Sequence, residues 1–399
     1  MSSSLFERSV TPLDPLCGLG NYETPRDERN NLLNQLRGSR VRIPNLKGLL
    51  NHWPQEVHPK VEELEKHVEE TLEWLFPHPD DEPRLRRMKA SNIGLFAASW
   101  WPYASFEALR VVASFSAWLF AWDDGVLTRL DKSTDLCANS RAEIDSLEFS
   151  SLMGDFNSAR TFREETMDYI RDHLMRHKPE NSKAASSTRR ISGFAPVGAA
   201  FCRSYNDDQI NKFLNEFEFF IKMCEEEHNT QETGRLPTVE EYMQRRMGSS
   251  AVRVCLAMSD YAANMVMPES IMSDDSMQTI WHETNVIISA MNDMLSIKKE
   301  IAQSQVDSLI PLLFLRYGSV QAALDEAMNQ VSGSVKRFDA AERDILSRFS
   351  NAPKETQEKI RMHIKTCKLA CTSNLNWSLV SGRYKVQPTW TSNGMEIVL

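Results

Sequence analysis

Residues 281–300 read WHETNVIISAMNDMLSIKKE, a largely apolar lead-in followed by a polar and charged end. On an α-helix, each step of four residues turns by about 40° around the axis and rises by about 6 Å along it. The side chains of Asn292, Ser296 and Glu300 therefore lie on one face. An amide, a hydroxyl and a carboxylate then offer oxygen atoms to the same point. Such a sparse oxygen set suits Mg²⁺, which keeps waters and phosphates among its ligands. The segment therefore predicts a helix that carries half of a magnesium site.

A lysine strengthens this prediction. Lys299 follows Asn292 by seven residues and so lies only about 20° from it around the helix. An ammonium group beside the metal would help to hold a phosphate. The alternative for three such polar residues taken alone is a solvent-exposed helix face. The apolar lead-in, the order of the residues and the adjacent lysine favour the metal site.

The helical pattern extends far beyond this segment. From about residue 41 to residue 380, apolar residues recur at spacings of three and four. A clear instance is the series Val61, Leu64, Val68, Leu72 and Leu75. No convincing run of paired strands is evident. The sequence therefore predicts an all-α fold.

The domain organisation follows from composition. Residues 1–40 are polar and rich in Asn, Arg and Ser. This composition predicts that they form a loose leader. Residues 41–399 predict one helical domain, because no repeat or change of composition divides them. Two polar stretches, residues 131–155 and residues 178–190, predict long surface loops.

The overall composition narrows the class of protein. The chain has 399 residues, of which 41% are hydrophobic and 25% charged, as in folded soluble proteins. A net charge of −9 argues against a general nucleic-acid binder. Seven cysteines without a CxxC pair predict reduced core thiols. The N-terminal residues lack the order of a secretory signal and no apolar run is long enough to span a membrane, which predicts a cytosolic protein.

A second motif lies at the end of another apolar helix, where residues 118–127 read WLFAWDDGVL. One apolar stripe precedes the acids, formed by Val112, Phe115, Leu119 and Trp122. Asp123 lies about 40° from Leu119, at the margin of that stripe. Negative charge beside aromatic surface is costly unless a cation neutralises it. We therefore expect Asp123 at the mouth of a cavity.

The segment at residues 292–300 resembles the Asn-Asp-x-x-Ser-x-x-x-Glu magnesium motif of microbial class I terpene synthases, and it matches at every ligand position. The resemblance implies a single helical bundle around an apolar cavity. It implies that Asn292, Ser296 and Glu300 hold one Mg²⁺ and that Lys299 contacts a substrate diphosphate. Three Mg²⁺ ions are expected in all. The resemblance covers roughly residues 90–385.

The motif at Asp123 is similar to the aspartate-rich motif of that family, Asp-Asp-x-x-Asp or Glu, which binds the other two Mg²⁺ ions. Only the first two acids match, because Leu127 stands at the fifth position and Asp131 is too distant to replace it. The resemblance implies Asp123 as the bridging ligand and Asp124 as a supporting group. A pair of acids ending a helix in solvent is the open alternative.

Two further segments resemble conserved segments of that family's sequences. Residues 241–250, EYMQRRMGSS, resemble its sensor region, in which an arginine grips the diphosphate and a nearby helix break exposes carbonyl oxygens. Arg245, 47 residues before Asn292 (292 − 245), is the first choice and Arg246 the second. Arg383 and Tyr384 resemble the terminal Arg-Tyr pair, whose guanidinium and phenol donate to phosphate oxygens.

Aromatic rings that could surround a carbocation are numerous in this chain, and their faces stabilise positive charge. The candidates are Phe96, Trp100, Phe115, Trp118, Trp122, Phe219 and Trp377. Ordinary core packing is the simpler interpretation of each ring taken separately.

The expected reaction is Mg²⁺-dependent ionisation and cyclisation of farnesyl diphosphate to a sesquiterpene hydrocarbon or alcohol. A diterpene cyclase acting on geranylgeranyl diphosphate is an alternative. A chain-elongating prenyl synthase is disfavoured, because it would carry a second aspartate-rich motif. The incomplete first motif leaves open a non-catalytic binding protein on the same fold. The resemblance is also compatible with a homodimer.

Overall fold

A computed structural model of the chain describes residues 24–126, 156–175, 188–384 and 394–399, and for residues 124–126 it gives the helical backbone alone. Within these ranges the fold is a bundle of α-helices, which confirms the all-α prediction. The predicted loop at residues 131–155 lies outside the described residues. So does most of the predicted loop at residues 178–190, of which Arg189 and Arg190 belong to a short helix.

The first half of the described chain contains nine helices. They are α1 (Pro25–Leu36), α2 (Leu46–Leu49), α3 (Val61–Leu75), α4 (Glu82–Ala90), α5 (Ile93–Trp100), α6 (Phe106–Val126), α7 (Phe156–Leu174), α8 (Arg189–Ser192) and α9 (Ala195–Ser204). A single turn of 3-10 helix, Pro79–Asp81, precedes α4.

Nine more described helices follow, and they include the longest ones. They are α10 (Asp207–Thr233), α11 (Val239–Ser249), α12 (Val252–Ala257), α13 (Ser259–Ala262), α14 (Glu269–Met272), α15 (Asp275–Ala302), α16 (Leu309–Tyr317), α17 (Val320–Arg348) and α18 (Lys354–Val380).

Helix α15 lies in the middle of the bundle and carries the segment that predicted the metal site. It packs against α17 and α18 and also touches α11, α12 and α16. Most of its side chains are buried, because neighbours cover it on several sides. Its N-terminus is fixed by Asp274, whose side chain accepts a hydrogen bond from the backbone N–H of Ser276 at 2.9 Å.

Local sequence fixes the ends of α10 and α11, which flank the cavity. Each helix starts with a capping box, formed by Asn206 and Gln209 in α10 and by Thr238 and Glu241 in α11. Helix α10 stops at Gly234, whose φ of 73° lies in the left-handed region that glycine adopts without strain. The chain then turns back, so that α11 packs along α10.

The opposite wall of the bundle is formed by α3, α5, α6 and α18, which pack on one another. Helix α5 is buried along nearly its whole length, and its rings contact those of its neighbours. Phe96 in α5 contacts Phe120 of α6 and Trp377 of α18, with ring centroids 5.8 and 5.2 Å apart. These aromatic contacts join three helices in the cavity wall.

The predicted leader differs from the structure at residues 25–36, which form the regular helix α1. Three leucines of this helix, Leu32, Leu33 and Leu36, are buried in the core. Arg29 forms a bidentate ion pair with Asp307, and its Nε donates to the carbonyl oxygen of Gly234 at 2.6 Å. The apolar positions are too few to show helical periodicity in a polar stretch, so only the tertiary contacts reveal that α1 is anchored.

A small sheet is a second difference from the expectation of no paired strands. β1 (Arg40–Ile43) pairs antiparallel with β2 (Met395–Val398), and Val41 stands opposite Ile397. Four-residue strands are too short to give a recognisable alternation in sequence. The pair joins the two ends of the described chain and leaves the fold class all-α.

The cysteine prediction holds for part of the set. The five described cysteines are unpaired thiols, and Cys255, Cys367 and Cys371 are buried. Burial raises the pKa of Cys255 and Cys367 to about 12 in each case. Cys17 and Cys137 lie outside the described residues. Among the described helices, none combines the length and the apolar character needed to cross a bilayer.

We predict that Arg29→Ala weakens the docking of α1. Asp307 has only 8% of its side chain exposed, so loss of the guanidinium would leave a nearly buried carboxylate without its ion-pair partner. We expect the free energy of unfolding to fall by about 2 to 3 kcal/mol, measured by denaturant titration.

The matched control is Arg26→Ala, three residues earlier on the exposed side of the same helix. We expect this change to alter stability by less than about 0.5 kcal/mol. Equal effects of the two substitutions would show that the ion pair does not anchor α1.

Candidate functional site

The four site residues predicted on α15 lie together in one cavity. Asn292, Ser296, Lys299 and Glu300 all line it, as expected from their angular spacing around the helix. The Ser296 hydroxyl donates to Glu300 Oε1 at 2.6 Å. The amide nitrogen of Asn292 donates to the Tyr384 hydroxyl oxygen at 2.6 Å. The polar face of α15 is thus preorganised by hydrogen bonds within the cavity wall.

The Glu300 carboxylate is the most strongly perturbed of these groups. Besides the bond from Ser296, its Oε2 accepts a hydrogen bond from the Ser308 hydroxyl at 2.6 Å. Burial, followed by the charge of nearby Asp293, raises the pKa of Glu300 to about 7. A carboxylate held in this way gains stability from a cation. Its surroundings therefore fit a metal ligand.

Asp293 is a site residue to which the sequence assigned no role. It is only 1% exposed, and its carboxylate accepts hydrogen bonds from the Tyr242 hydroxyl at 2.6 Å and from the backbone N–H of Leu309 at 3.3 Å. Arg246 Nη2 lies 3.4 Å from its Oδ1. Burial raises the pKa of Asp293, and Arg246 opposes that rise. Asp293 also lines the cavity and thus holds Arg246 against α15.

Of the two neighbouring arginines, the second choice from the sequence is the one that lines the cavity. Arg246 lines the cavity and donates through Nη2 to Asn292 Oδ1 at 3.0 Å. Burial acts to lower the pKa of Arg246, but the groups around it, Tyr242 and Asp293 first among them, raise it overall. Its guanidinium therefore stays charged beside the predicted metal ligands.

Arg245, the first choice from the sequence, does not line the cavity. Adjacent helical residues point about 100° apart, so only one of the pair can face the same space. Arg245 is 6% exposed and lies over the ring of Tyr242, 5.7 Å from its centroid. Its Nε and Nη2 have no hydrogen-bond partner within the described part of the chain. The rotation of α11 about its own axis decided this, and residue spacing alone could not.

A helix break forms part of the cavity wall close to where the sequence predicted it. Gly248 and Ser249 still belong to α11, and the break falls at Ser250 and Ala251, the latter with a φ of 58°. Residues 249–252 line the cavity. A chain that changes direction here leaves helix-end polar groups at the cavity surface.

Asn285 of α15 holds the break in place. It is 1% exposed, and its amide nitrogen donates to the carbonyl oxygen of Met247 at 2.7 Å. Its Oδ1 accepts from the Ser250 hydroxyl at 2.8 Å. One side chain thus fastens the end of α11 to the helix that carries the predicted metal ligands.

Asp123 lines the same cavity on the wall formed by α6. The prediction for this carboxylate is therefore supported by position. The side chain of Asp124 and the residue Leu127 lie outside what the structure describes. No group of three or more His, Cys, Asp or Glu ligands occurs among the described residues. The candidate oxygen ligands that the structure describes in the cavity include the carboxylates of Asp123 and Glu300, the Asn292 amide and the Ser296 hydroxyl.

The C-terminal pair also reaches the cavity. Arg383 and Tyr384 both line it, and the Arg383 guanidinium lies over the Phe120 ring, 5.2 Å from its centroid. The Tyr384 ring meets Trp377 edge to face at 5.9 Å. Cationic side chains from α11, α15 and the C-terminal segment thus line one cavity together with Asn292.

Aromatic rings also line the cavity. They are Phe96, Trp100, Phe120, Phe220 and Trp377. Three of these, Phe96, Trp100 and Trp377, were among the candidates from the sequence. The cavity therefore combines polar and aromatic lining.

Four other aromatic candidates do not line this cavity, and the reason is the orientation of α6 and α10. They are Phe115, Trp118, Trp122 and Phe219. The Trp118 ring packs between Phe194 and Phe217, and the Trp122 indole donates to the Thr166 hydroxyl at 2.9 Å. On α6 the cavity side is the neighbouring stripe of Ser116, Leu119, Phe120 and Asp123.

Comparison with known proteins agrees with this geometry. Residues 114–337, more than half of the chain, match the family described as terpene synthase family 2, C-terminal metal binding. The chain belongs to this terpene synthase family. It is also 30% identical over 348 residues to sesquiterpene cyclase hepA of Aspergillus oryzae, covering 86% of this chain and 88% of that protein. Terpene cyclase braA of Annulohypoxylon truncatum is 24% identical, covering 94% of each chain.

Solved structures of terpene synthases share the fold. One is a-eudesmol synthase, with a TM-score of 0.67 at 18% identity, covering 83% of this chain and 98% of that chain. Another is hedycaryol synthase in complex with nerolidol, with a TM-score of 0.63 at 16% identity, covering 82% and 96%. The protein is thus a class I terpene synthase, a lyase of a metal-binding family.

We predict that Gly248→Ala in this terpene synthase disturbs the packing that sets the helix break. A Cβ at this position would lie 2.8 Å from Met223 Cβ and 3.1 Å from Phe219 Cε1. Helix α11 would have to move away from α10, and we expect a loss of about 1 to 3 kcal/mol in the free energy of unfolding.

A matched control is Gly333→Ala in the interior of α17. The nearest atom there is the mobile end of Arg337, at 3.2 Å. We expect a gain of up to about 1 kcal/mol, because alanine favours the helix more than glycine does. If both variants were stabilised, close packing at Gly248 could not be what positions α11.

Proposed function

We propose that this synthase catalyses the Mg²⁺-dependent ionisation and cyclisation of farnesyl diphosphate, with three Mg²⁺ ions. The observation that carries the proposal is the lining of one cavity. It gathers the oxygen face of α15, Asp123 on α6, and the cations Arg246, Lys299 and Arg383. Aromatic rings line the same cavity. Such a site suits a substrate with an anionic head and a long hydrocarbon tail.

The oxygen ligands fit a hard divalent cation. Asn292, Ser296 and Glu300 would hold one ion, and Asp123 would bind at the facing wall, with oxygen donors throughout. The raised pKa of Glu300, caused by burial and by Asp293, agrees with a carboxylate built to meet a cation. When bound, the metal ions supply positive charge that neutralises the departing diphosphate.

The side chains of the protein complete the binding of the head group. Arg246 is held in place by Asp293 and Asn292, so its remaining donors can meet phosphate oxygens without reorganisation. Lys299 and Arg383 add positive charge, and the Tyr384 hydroxyl can donate to an oxygen. Together they would make the diphosphate a better leaving group.

The allylic carbocation left behind would lie among ring faces and away from bulk water. Phe96, Phe120 and Trp377 contact one another, and their negative faces stabilise a cation without bonding to it. The break at residues 250–251 would add oriented backbone dipoles. These groups allow the cation to rearrange and cyclise before it is quenched.

A relative named as a sesquiterpene cyclase supports the proposal of a fifteen-carbon substrate. The relative sesquiterpene cyclase hepA aligns over 86% of this chain.

Purified enzyme should be incubated with Mg²⁺ and geranyl, farnesyl or geranylgeranyl diphosphate. We expect the farnesyl substrate to give cyclised products by gas chromatography. Preferred turnover of the geranylgeranyl substrate would identify a diterpene cyclase, a longer diphosphate product would identify an elongating synthase, and no diphosphate release would leave a binding protein.

We predict that Asn292→Ala and Glu300→Gln each lower kcat/KM by at least about 100-fold. Loss of an outer-shell partner of a metal already costs up to about 100-fold, and these two residues are proposed as direct ligands. Each change removes one oxygen donor or its charge from the proposed metal site. The rate of diphosphate release measures the effect, and circular dichroism checks the fold.

Glu358→Gln on the exposed face of α18 is the control for the loss of one carboxylate. We expect its activity and its helical content to equal those of the unmodified enzyme. Near-normal turnover in Asn292→Ala or Glu300→Gln would rule out the metal assignment on α15.

We predict that the two adjacent arginines respond differently to lysine. Arg246→Lys loses the planar guanidinium that bridges Asn292 and Asp293, so we expect kcat/KM to fall by about 100-fold or more. Arg245→Lys keeps a charge outside the cavity wall and is expected to retain most of the activity. Steady-state kinetics with farnesyl diphosphate measures both variants. A larger loss of kcat/KM in Arg245→Lys than in Arg246→Lys would favour Arg245 as the diphosphate contact.

A further inference from the structure

The connection between α15 and α16 supplies a hydroxyl to the cavity wall. Residues 303–308 link the two helices, and Ser308 is the last of them. Ser308 lines the cavity together with Glu300 and is only 6% exposed. Its hydroxyl donates to Glu300 Oε2 at 2.6 Å. A residue outside α15 thus contacts one of the proposed metal ligands.

Ser308 occupies the N-cap position of α16 but does not cap it. A serine at the start of a helix ordinarily accepts a hydrogen bond from a backbone N–H of the first turn. The side chain of Ser308 makes no such bond. In four other described helices the hydroxyl of the N-cap residue does accept one, and these residues are Thr24, Thr188, Thr238 and Ser319. The hydroxyl of Ser308 is therefore directed to Glu300 rather than to the helix end.

Contacts on both sides of Ser308 fix where its hydroxyl lies. Asp307, the residue before it, forms the bidentate ion pair with Arg29 of α1. The backbone N–H of Leu309, the residue after it, donates to Asp293 Oδ2 at 3.3 Å. Ser308 is thus held between one contact to α1 and another to α15. Its hydroxyl is therefore a hydrogen-bond donor in a fixed position.

The two carboxylate oxygens of Glu300 are each bound by one serine. Oε1 accepts from Ser296, four residues earlier on the same helix, at 2.6 Å, and Oε2 accepts from Ser308. The bond from Ser296 alone would leave the second oxygen free to turn about the first. The bond from Ser308 comes from a different element and so fixes the plane of the carboxylate. Because each oxygen of an ionised carboxylate has more than one acceptor site, a cation can still bind.

We infer that Ser308 fixes the Glu300 carboxylate in the orientation that receives a divalent cation, and that it thereby sets the affinity of this metal site. The inference rests on the proposed function, which takes Glu300 as a metal ligand. Ser308 is a positioning residue, because it acts through Glu300 and does not need to touch the ion. Hydrogen-bond partners of this kind orient metal ligands in proteins.

The experiment measures metal binding without turnover. The full-length enzyme is titrated with Mn²⁺, a paramagnetic ion that takes the same oxygen ligands as Mg²⁺, in the presence of inorganic diphosphate. Electron paramagnetic resonance of the free Mn²⁺ gives the number of bound ions and their affinities. In Ser308→Ala we expect one bound ion to need about 10-fold to 100-fold more Mn²⁺ for half-saturation, because its ligand has lost an outer-shell partner.

The dependence of turnover on Mg²⁺ is a second readout, and a merely structural role would not change it. With farnesyl diphosphate, Ser308→Ala should need more Mg²⁺ for half-maximal velocity. Its kcat should approach that of the unmodified enzyme as Mg²⁺ is raised, because every proposed ligand is still present. Circular dichroism checks that the helical content is unchanged.

Ser308→Thr is the rescue variant, because threonine keeps the hydroxyl. The backbone at residue 308 is extended, with φ −135° and ψ 168°, a conformation that suits a β-branched side chain. We expect the Mn²⁺ affinity of this variant to stay close to that of the unmodified enzyme.

The matched control is Ser319→Ala, the same substitution at the N-cap of α17. Ser319 is exposed and does not line the cavity, and its hydroxyl accepts from the backbone N–H of Ala322 at 3.3 Å. This change removes a helix cap. We expect it to leave the Mn²⁺ affinity unchanged, because the lost contact is remote from Glu300.

The outcomes separate the inference from the proposed function. Unchanged Mn²⁺ binding in Ser308→Ala would overturn the inference and leave the proposed function intact. So would an equal loss of affinity in Ser319→Ala or in Ser308→Thr, because the hydroxyl at residue 308 could then not be the cause. If Ser308→Ala does not fold, Ser308→Gly decides, since glycine is well tolerated at an N-cap. If the unmodified enzyme binds no Mn²⁺ with diphosphate, the metal site of the proposed function fails and the inference with it.

Discussion

The carboxylate of Glu300, partly buried in the cavity wall, is the central interaction of the polar lining. Hydroxyls of Ser296 and Ser308 donate to its two oxygens, and burial, with Asp293 close by, raises its pKa to about 7. A bundle that keeps a carboxylate in this setting gains stability when a cation arrives. The second buried acid, Asp293, is balanced from within by Arg246 and Tyr242. Asp293 is thus paired with a cation of the protein itself, and we propose that a bound metal ion would meet the charge of Glu300.

The same arrangement links the metal side of the site to the helix break. Arg246 is near the end of α11 and contacts α15, and Asn285 of α15 holds the break that follows. Any shift of α11 would therefore move the guanidinium and the break together. Aromatic rings of α5, α6, α10 and α18 line the same cavity. Most of the ring wall and most of the polar wall are thus supplied by different helices of one bundle.

Local geometry explains which parts of the site could be predicted. Asn292, Ser296, Lys299 and Glu300 belong to a single helix, so residue spacing is enough to place them on one face. The pair Arg245 and Arg246 could not be separated in this way, because the rotation of α11 depends on how it packs. The rings of α6 were misjudged for the same reason. The stripe with Phe115 and Trp118 packs into the protein core, and the neighbouring stripe faces the cavity.

The sequence by itself determined the all-α class, the oxygen face of α15 and the positions of Asp123 and the Arg383–Tyr384 pair along the chain, because these depend on helical periodicity and on residue chemistry within short segments. Tertiary structure alone decided the rest. Arg29 joins helix α1 to Asp307 through an ion pair, and Ser373 joins α18 to α5 through its hydrogen bond to the carbonyl oxygen of Ser99. Such contacts join residues hundreds of positions apart, and no local pattern records them.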